Sequence, residues 1–378
     1  MALQLSPVLG GLAQYPFAQL DDWQADARSR GIELIDFGVG DPREVTPPFI
    51  REALLDSVDA VSSYPRAVGL PELREAIAGW VGRRFGVTVD PGTEIVPTLG
   101  SKEAIFSFAQ LVAGAEKRLV AIPQPAYPVY ERGALFAGMG VVTVPLAERG
   151  GWLPDLDAFD AWDEIALFWT CYPNNPTGAV APASFYEELA ERARRHGFLL
   201  CSDEAYSELW FDEAPVSALQ LADRENVVVF NTLSKRSSMT GYRSGFVCAP
   251  AEVCDALRAF RPSTGTAPQE FVQRASVAAW SDDRHVEDVR RLYARKRDIL
   301  LPALEERGLR LAGSTATFYL WLAVEGPSEP FARRLLEHGL VVTPGAFFGP
   351  AGEGYVRFAL VPTEAECARA AEIVRSVL

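Results

Sequence analysis

A chain of 378 residues is too long for one small core and long enough for a large folded unit with a smaller one beside it. A hydrophobic content of 48% and a charged content of 23% exclude a disordered chain, and 50 acidic against 36 basic residues, a net charge of -14, exclude general attraction to nucleic acid or anionic membrane. Five scattered cysteines without a C-x-x-C pair, no basic-then-apolar leader at residues 1–11 and no run of 18 apolar residues argue against a disulfide framework, a zinc site, secretion and membrane spanning, so the expected compartment is the cytoplasm.

In chain order, helices are predicted over residues 69–85 and 101–112, then short apolar strands over 118–122, 140–144 and 165–170. A helix over 184–196 is followed by strands over 198–202, 227–231 and 244–248, and a long charged helix over 282–307 bridges to a smaller α+β region. That region carries strands over 317–324 and 355–360 and a closing helix over 363–377. Short, largely apolar strands alternating with amphipathic helices predict an α/β fold with a mostly parallel sheet. The expected division is residues 1–41 packing with the small domain, 42–275 as the large domain and 276–378 as the small one.

Three of these strands end in chemistry. The apolar run at 227–230 leads into Asn231-Thr232-Leu233-Ser234-Lys235, so Lys235 stands where a strand gives way to a turn, the edge at which open α/β sheets bind ligands. Arg243, in Thr240-Gly241-Tyr242-Arg243-Ser244-Gly245, brings a second cation to the same rim. A lysine beside an arginine and a phosphate loses its proton more readily, as a Schiff-base amine must. Two surface cations near a loop would carry the same local wording.

Asp203, in Ser202-Asp203-Glu204-Ala205-Tyr206, ends another strand, where a carboxylate can keep a pyridine nitrogen protonated. A solvated acidic turn reads the same way, and Tyr206 reads equally as a half-buried aromatic. After a third strand, Tyr172-Pro173-Asn174-Asn175-Pro176-Thr177-Gly178 fixes a turn able to present an amide side chain, as an ordinary Asn-Pro turn also would. Gly100-Ser101-Lys102 opens a helix whose free N–H groups suit a phosphate.

Taken in order, Tyr64 with Gly69, Gly100-Ser101-Lys102, Tyr127, Asn174-Asn175-Pro176-Thr177-Gly178, Asp203 with Tyr206, Ser234-Lys235, Arg243 and Arg357 resemble the fold-type I, class I/II aminotransferases, from about Tyr15 to the C-terminus. The resemblance implies a large domain with a seven-stranded-type sheet, a smaller α+β domain, and pyridoxal 5'-phosphate as cofactor. It implies that Lys235 forms the Schiff base and acts as general base, that Asp203 partners the pyridinium, and that Asn175 and Tyr206 bond the ring oxygen. Tyr127 would stack on the ring. Ser101, Lys102, Thr232 or Ser234, and Arg243 would hold the phosphate. Tyr64 would reach the phosphate of a neighbouring subunit, which implies a homodimer with shared active sites. Arg357 would grip the substrate α-carboxylate with a bidentate fork, beside the backbone of Gly40.

Several stretches are similar to one subgroup, the succinyldiaminopimelate aminotransferases: Tyr15-Pro16-Phe17, Gly100-Ser101-Lys102-Glu103-Ala104, Ser234-Lys235-Arg236-Ser237 with Arg243-Ser244-Gly245-Phe246, and Thr343-Pro344-Gly345. Met239-Thr240-Gly241-Tyr242 instead has the wording of aspartate-type aminotransferases. The expected substrates are N-succinyl-LL-2,6-diaminopimelate and 2-oxoglutarate. Their extra carboxylates call for a distal cation, for which Arg66 is the first candidate, with Arg236 and Lys102 behind it; a solvated loop arginine is the plain reading of Arg66. A β-lyase could use the same Lys235, Asp203 and Arg357. An effector-sensing domain of a transcription regulator would need a DNA-binding unit that this acidic sequence does not offer.

Overall fold

Seven of the apolar segments assemble into one sheet in the computed structural model, which describes residues 6–11, 16–61 and 63–378. They are β1 (Ile95–Thr98), β2 (Leu119–Gln124), β3 (Gly140–Pro145), β4 (Ile165–Cys171), β5 (Leu199–Asp203), β6 (Val227–Thr232) and β7 (Gly245–Cys248). Their spatial order is β1-β7-β6-β5-β4-β2-β3. All run parallel except β7, which is antiparallel to both β1 and β6.

Apart from the partly exposed edge strand β3, the sheet is buried on both faces, and this explains the continuous apolar runs of its inner strands. Leu200, Val227, Val229 and Phe246 pack into one core with Leu73, Ile77 and Trp80 of α1 (Pro71–Phe85). Their neighbours Cys201, Val228, Phe230 and Val247 point the other way, into a second core with Ala104, Ile105 and Phe108 of α2 (Ser101–Phe108). A strand covered on both sides has no polar face to alternate with.

A third core lies around a four-stranded sheet formed by β8 (Arg310–Leu311), β9 (Tyr319–Ala323), β10 (Thr343–Pro344) and β11 (Tyr355–Ala359), in the order β10-β11-β9-β8. Its antiparallel β9–β11 pair brings Trp321 opposite Arg357. The long helix expected over 282–307 runs from Arg284 to Glu306, preceded by a separate helix at Glu270–Ser281. The chain's early residues join here as well: Ile35–Asp36 pairs in parallel with Leu340–Val341. The closing helix Glu364–Val377 starts from a capping box, Thr363 bonding the Glu366 N–H and Glu366 the Thr363 N–H.

β1 is the one strand of the large sheet that the sequence did not announce. Pro97 interrupts its apolar run, and a proline is tolerated because β1 is an edge strand, paired only with β7. Among the described residues no helix is long and apolar enough to cross a membrane.

Candidate active site

The C-terminal ends of β4, β5 and β6 bring Cys171, Asp203 and Thr232 to one edge of the large sheet, where the register sets Cys171 beside Asp203 and Asp203 beside Phe230. From β6 the chain passes into a single helical turn, α3 (Leu233–Arg236), that carries Lys235. Thr232 caps this turn: its hydroxyl accepts the Ser234 N–H at 3.2 Å and donates to the Ser244 carbonyl at 2.9 Å. Lys235 Nζ donates to the Gly40 carbonyl at 2.6 Å. Burial lowers the amine's pKa from 10.5 to about 8, with Asp41 opposing the shift and Arg357, Arg243 and Lys102 adding to it. Desolvation, rather than the neighbouring cation expected from the sequence, is the larger cause.

Asp203 is buried, and burial raises its carboxyl to about 6 against two hydrogen bonds that lower it. The Tyr130 hydroxyl donates to Oδ2 at 2.6 Å and the Ala205 N–H to Oδ1 at 3.2 Å. Tyr130 went unnoticed in the sequence, although it lies one helical turn after Tyr127. It is fully buried, with its ring stacked on Trp169 at 5.0 Å.

At the start of α2, Gly100 adopts a φ of +72°, and a Cβ there would stand 2.7 Å from Arg243 Nη2. Only glycine leaves room for the guanidinium and the first N–H groups of the helix to face the same space. Arg243 is held by the carbonyls of Thr240 at 2.8 Å and Leu99 at 3.1 Å. Burial and the adjacent Arg243 both lower the Lys102 amine. The hydroxyls of Thr232 and Ser234 share a bond of 2.9 Å at this end.

At the opposite end Arg357 comes from β11 with almost no exposed surface. It donates to Asn175 Oδ1 and to the Gly38 carbonyl, both at 2.7 Å, and its guanidinium lies over the rings of Tyr319 at 4.2 Å and Phe348 at 4.7 Å. Tyr319, also unnoticed in the sequence, bonds the Tyr206 hydroxyl at 2.6 Å. A Cβ on Gly40 would fall 2.1 Å from the Tyr319 hydroxyl, so the backbone there can approach the cavity only as glycine.

These groups line one cavity of about 340 Å³, which gathers Gly40, Ser101, Lys102, Tyr127, Asn175, Asp203, Tyr206, Thr232, Ser234, Lys235, Arg243 and Arg357. Phe17 and Asp41 line it too; Tyr15, from the first of the subgroup stretches, lies outside the described residues. Tyr64 and Arg66 do not line it: both are exposed, Tyr64 at 100%. Arg236 is a correction. Offered as a distal cation, it is buried at 1% exposure between Trp80 and Trp280, facing away from the cavity lining.

The model of the family "Aminotransferase class I and II" matches residues 32–374. The chain belongs to this family. An LL-diaminopimelate aminotransferase of Aquifex aeolicus is 40% identical to this aminotransferase over 372 residues, covering 96% of each chain. A solved aminotransferase from Neisseria meningitidis superposes with a TM-score of 0.90 at 37% identity, covering 98% and 99% of the two chains. A probable N-succinyldiaminopimelate aminotransferase of Thermus thermophilus gives 0.89 at 32% identity, covering 96% and 100%.

The fold is thus the fold-type I aminotransferase fold, and the enzyme is a pyridoxal 5'-phosphate-dependent transaminase. The cavity suits that cofactor. The cleft kept open by Gly100 offers Arg243 and helix N–H groups to a phosphate, and a buried carboxylate lies within the same cavity for a pyridine nitrogen.

Proposed function

We propose that this aminotransferase moves an amino group between diaminopimelate and 2-oxoglutarate, with Lys235 as the residue that carries the proton. When bound, the cofactor supplies an electron sink that allows an amino acid's α-proton to be removed. Lys235 is the base, and a pKa of about 8 gives it a usable neutral fraction near neutral pH. Asp203 would hold the cofactor's ring nitrogen in its protonated form, and Tyr127 would hold the ring. The Asn175 Oδ1 is already taken by Arg357, so its Nδ2–H is the group free to meet the ring oxygen, beside Tyr206. Ser101, Lys102, Thr232, Ser234 and Arg243 hold the phosphate, while Arg357 and the Gly40 backbone take the α-carboxylate. The observation that supports these roles is that all of these residues, from eight separate stretches of chain, line one cavity.

Tyr130 deepens the role of Asp203. Phenylalanine at position 130 removes the strongest donor to that carboxylate, so its pKa rises above 6 and its hold on a protonated ring nitrogen weakens. A hydrogen bond to a charged group is worth about 1.5–3 kcal/mol, so cofactor affinity is expected to fall roughly 10- to 100-fold. The loss should grow as pH drops from 8 to 6; quenching of tryptophan fluorescence on cofactor titration measures both effects.

For the substrate, relatives 37–40% identical over nearly the whole chain are named for LL-diaminopimelate, which favours the free amino acid. The likeness to the probable N-succinyldiaminopimelate enzyme keeps the succinylated form as a second reading. Glutamate formation from 2-oxoglutarate with each compound in parallel decides: turnover with neither removes both readings.

We further propose that the active enzyme is a homodimer, and that residues 42–275 form the cofactor-binding domain, with 276–378 and the N-terminal segment as the small domain. Val45, Leu55, Val58, Val61 and Tyr64 expose apolar surface along one segment, as a face covered by a second copy would. Tyr64 and Arg66 then reach the neighbour's cavity. Arg66→Ala is expected to raise KM about tenfold or more for a substrate with a distal carboxylate and to leave KM for alanine unchanged; equal KM values for both eliminate the role.

A further inference from the structure

A helix of four residues cannot hold itself in place, because a single turn fixes its dihedrals for almost no internal hydrogen bonding. The turn that carries Lys235 therefore owes its orientation to its attachments. Thr232 secures the N-terminal side. The other side is secured by Arg236 and Ser237.

Arg236 lies between the rings of Trp280 at 4.7 Å and Trp80 at 5.4 Å. It donates to the carbonyl of Ala279 at 3.1 Å, to that of Asp282 at 3.4 Å and to Asp283 Oδ1 at 3.3 Å. The two carbonyls belong to the end of α4 (Glu270–Ser281) and to the link that follows it, where a cation is favoured, and the carboxylate adds a charge partner. Ser237 Oγ bonds His285 Nε2 at 2.8 Å, and His285 Nδ1 bonds Asp282 Oδ1 at 2.9 Å. The carboxylate can only accept, so Nδ1 carries the proton and Nε2 accepts from the serine.

A Ser-His-Asp chain suggests a hydrolytic nucleophile, but Ser237 has no exposed surface and does not line the cavity. No substrate reaches it, so its bonds orient. What they orient against is α5 (Arg284–Glu306), which begins one residue before His285. About three turns further along the same face of α5, at roughly 3.6 residues per turn, buried Lys296 pairs with Glu44. Glu44 lies just beyond Gly40, whose carbonyl accepts from Lys235 Nζ. Ser237, two residues after Lys235, and Glu44, four residues after Gly40, are thereby both attached to α5, while Arg236 holds the carbonyls and the carboxylate that lead into it.

We propose that α5 acts as a ruler for the active-site amine, with Arg236 and His285 as positioning residues that fix the lysine-bearing turn against it. The proposal rests on Lys235 being the reacting lysine. Arg236→Met removes the guanidinium fork, and His285→Phe removes the acceptor for Ser237, whereas His285→Gln retains a polar group near Nε2.

In the full-length enzyme, Arg236→Met and His285→Phe are expected to lower kcat at least tenfold while KM for both substrates stays within twofold. His285→Gln should recover most of the loss. In the cofactor-free protein, acetylation of Lys235 at fixed pH, followed by peptide mass, should change at least threefold in the two damaging variants and stay near parental in His285→Gln.

Parental kcat and parental Lys235 reactivity in His285→Phe, whatever its melting temperature, overturn the proposal, as does an equal loss in His285→Gln and His285→Phe. If Arg236→Met does not fold, the two His285 variants carry the test. Activity persisting in Lys235→Ala would sink the reading of Lys235 itself, which is a separate result.

Discussion

Lys235→Ala is expected to abolish transamination, with turnover down by at least about 10⁴-fold, because under the proposed roles it removes both the cofactor's attachment and a general base that alone contributes 10²–10⁴-fold. The fold should survive. A lysine whose folded pKa of about 8 lies below its ordinary 10.5 binds its proton more weakly in the folded chain, so it costs stability. That cost is full below pH 8, shrinks as pH rises from 8 towards 10.5 and vanishes above; it is on the order of 3 kcal/mol.

Alanine removes that penalty but also the packing of the partly buried methylene stem, and the two terms oppose each other. The melting temperature of Lys235→Ala at pH 7 is therefore expected to lie within a few degrees of the parent. Relative to the cofactor-free parent, its melting temperature should be lower at pH 10 than at pH 7. In the parent, acetylation of Lys235 in the cofactor-free protein should rise with a midpoint near pH 8. A midpoint above 10 would mean that the amine is solvated, and the burial argument would fail.

The same burial explains what the sequence revealed and what it withheld. Strands buried on both faces are written as unbroken apolar runs, so six of the seven strands of the large sheet were legible; β1 was hidden by Pro97. Lys235, Asp203 and Asn175 stood out because each sits where such a run ends in a polar residue, the edge at which this architecture binds ligands.

Tyr130 and Tyr319 did not stand out. Their function depends on what the fold sets opposite them, Asp203 in one case and Tyr206 with Arg357 in the other, and nothing local marks an aromatic as a hydrogen-bond donor to a distant carboxylate. Arg236 misled for a related reason. Arginine is mostly exposed, and only the meeting of Trp80 with Trp280, 200 residues apart in the chain, makes a buried slot for it.

Arg357→Lys is expected to lower kcat/KM for amino acids and 2-oxo acids by roughly 10²–10³-fold, about 3–4 kcal/mol, through KM more than kcat. The guanidinium is already committed to two acceptors. One nitrogen is committed to Asn175 Oδ1 and another to the Gly38 carbonyl, with the plane stacked over Tyr319. An ammonium has no plane to stack and no fixed fork, so it cannot serve both acceptors and a carboxylate together. The buried acceptor it abandons adds its own desolvation cost.

Because Asn175 is oriented by this contact, a moderate weakening of cofactor binding, about threefold, should accompany the larger loss for substrate. The discriminating measurement is the ratio of kcat/KM for an α-amino acid to that for the amine lacking its carboxylate. That ratio should fall in the variant by nearly the whole 10²–10³-fold, since only the carboxylate-bearing substrate uses the fork. A ratio equal to the parent's would mean that the α-carboxylate is held elsewhere and that Arg357 serves only to hold Asn175 and Gly38 in place.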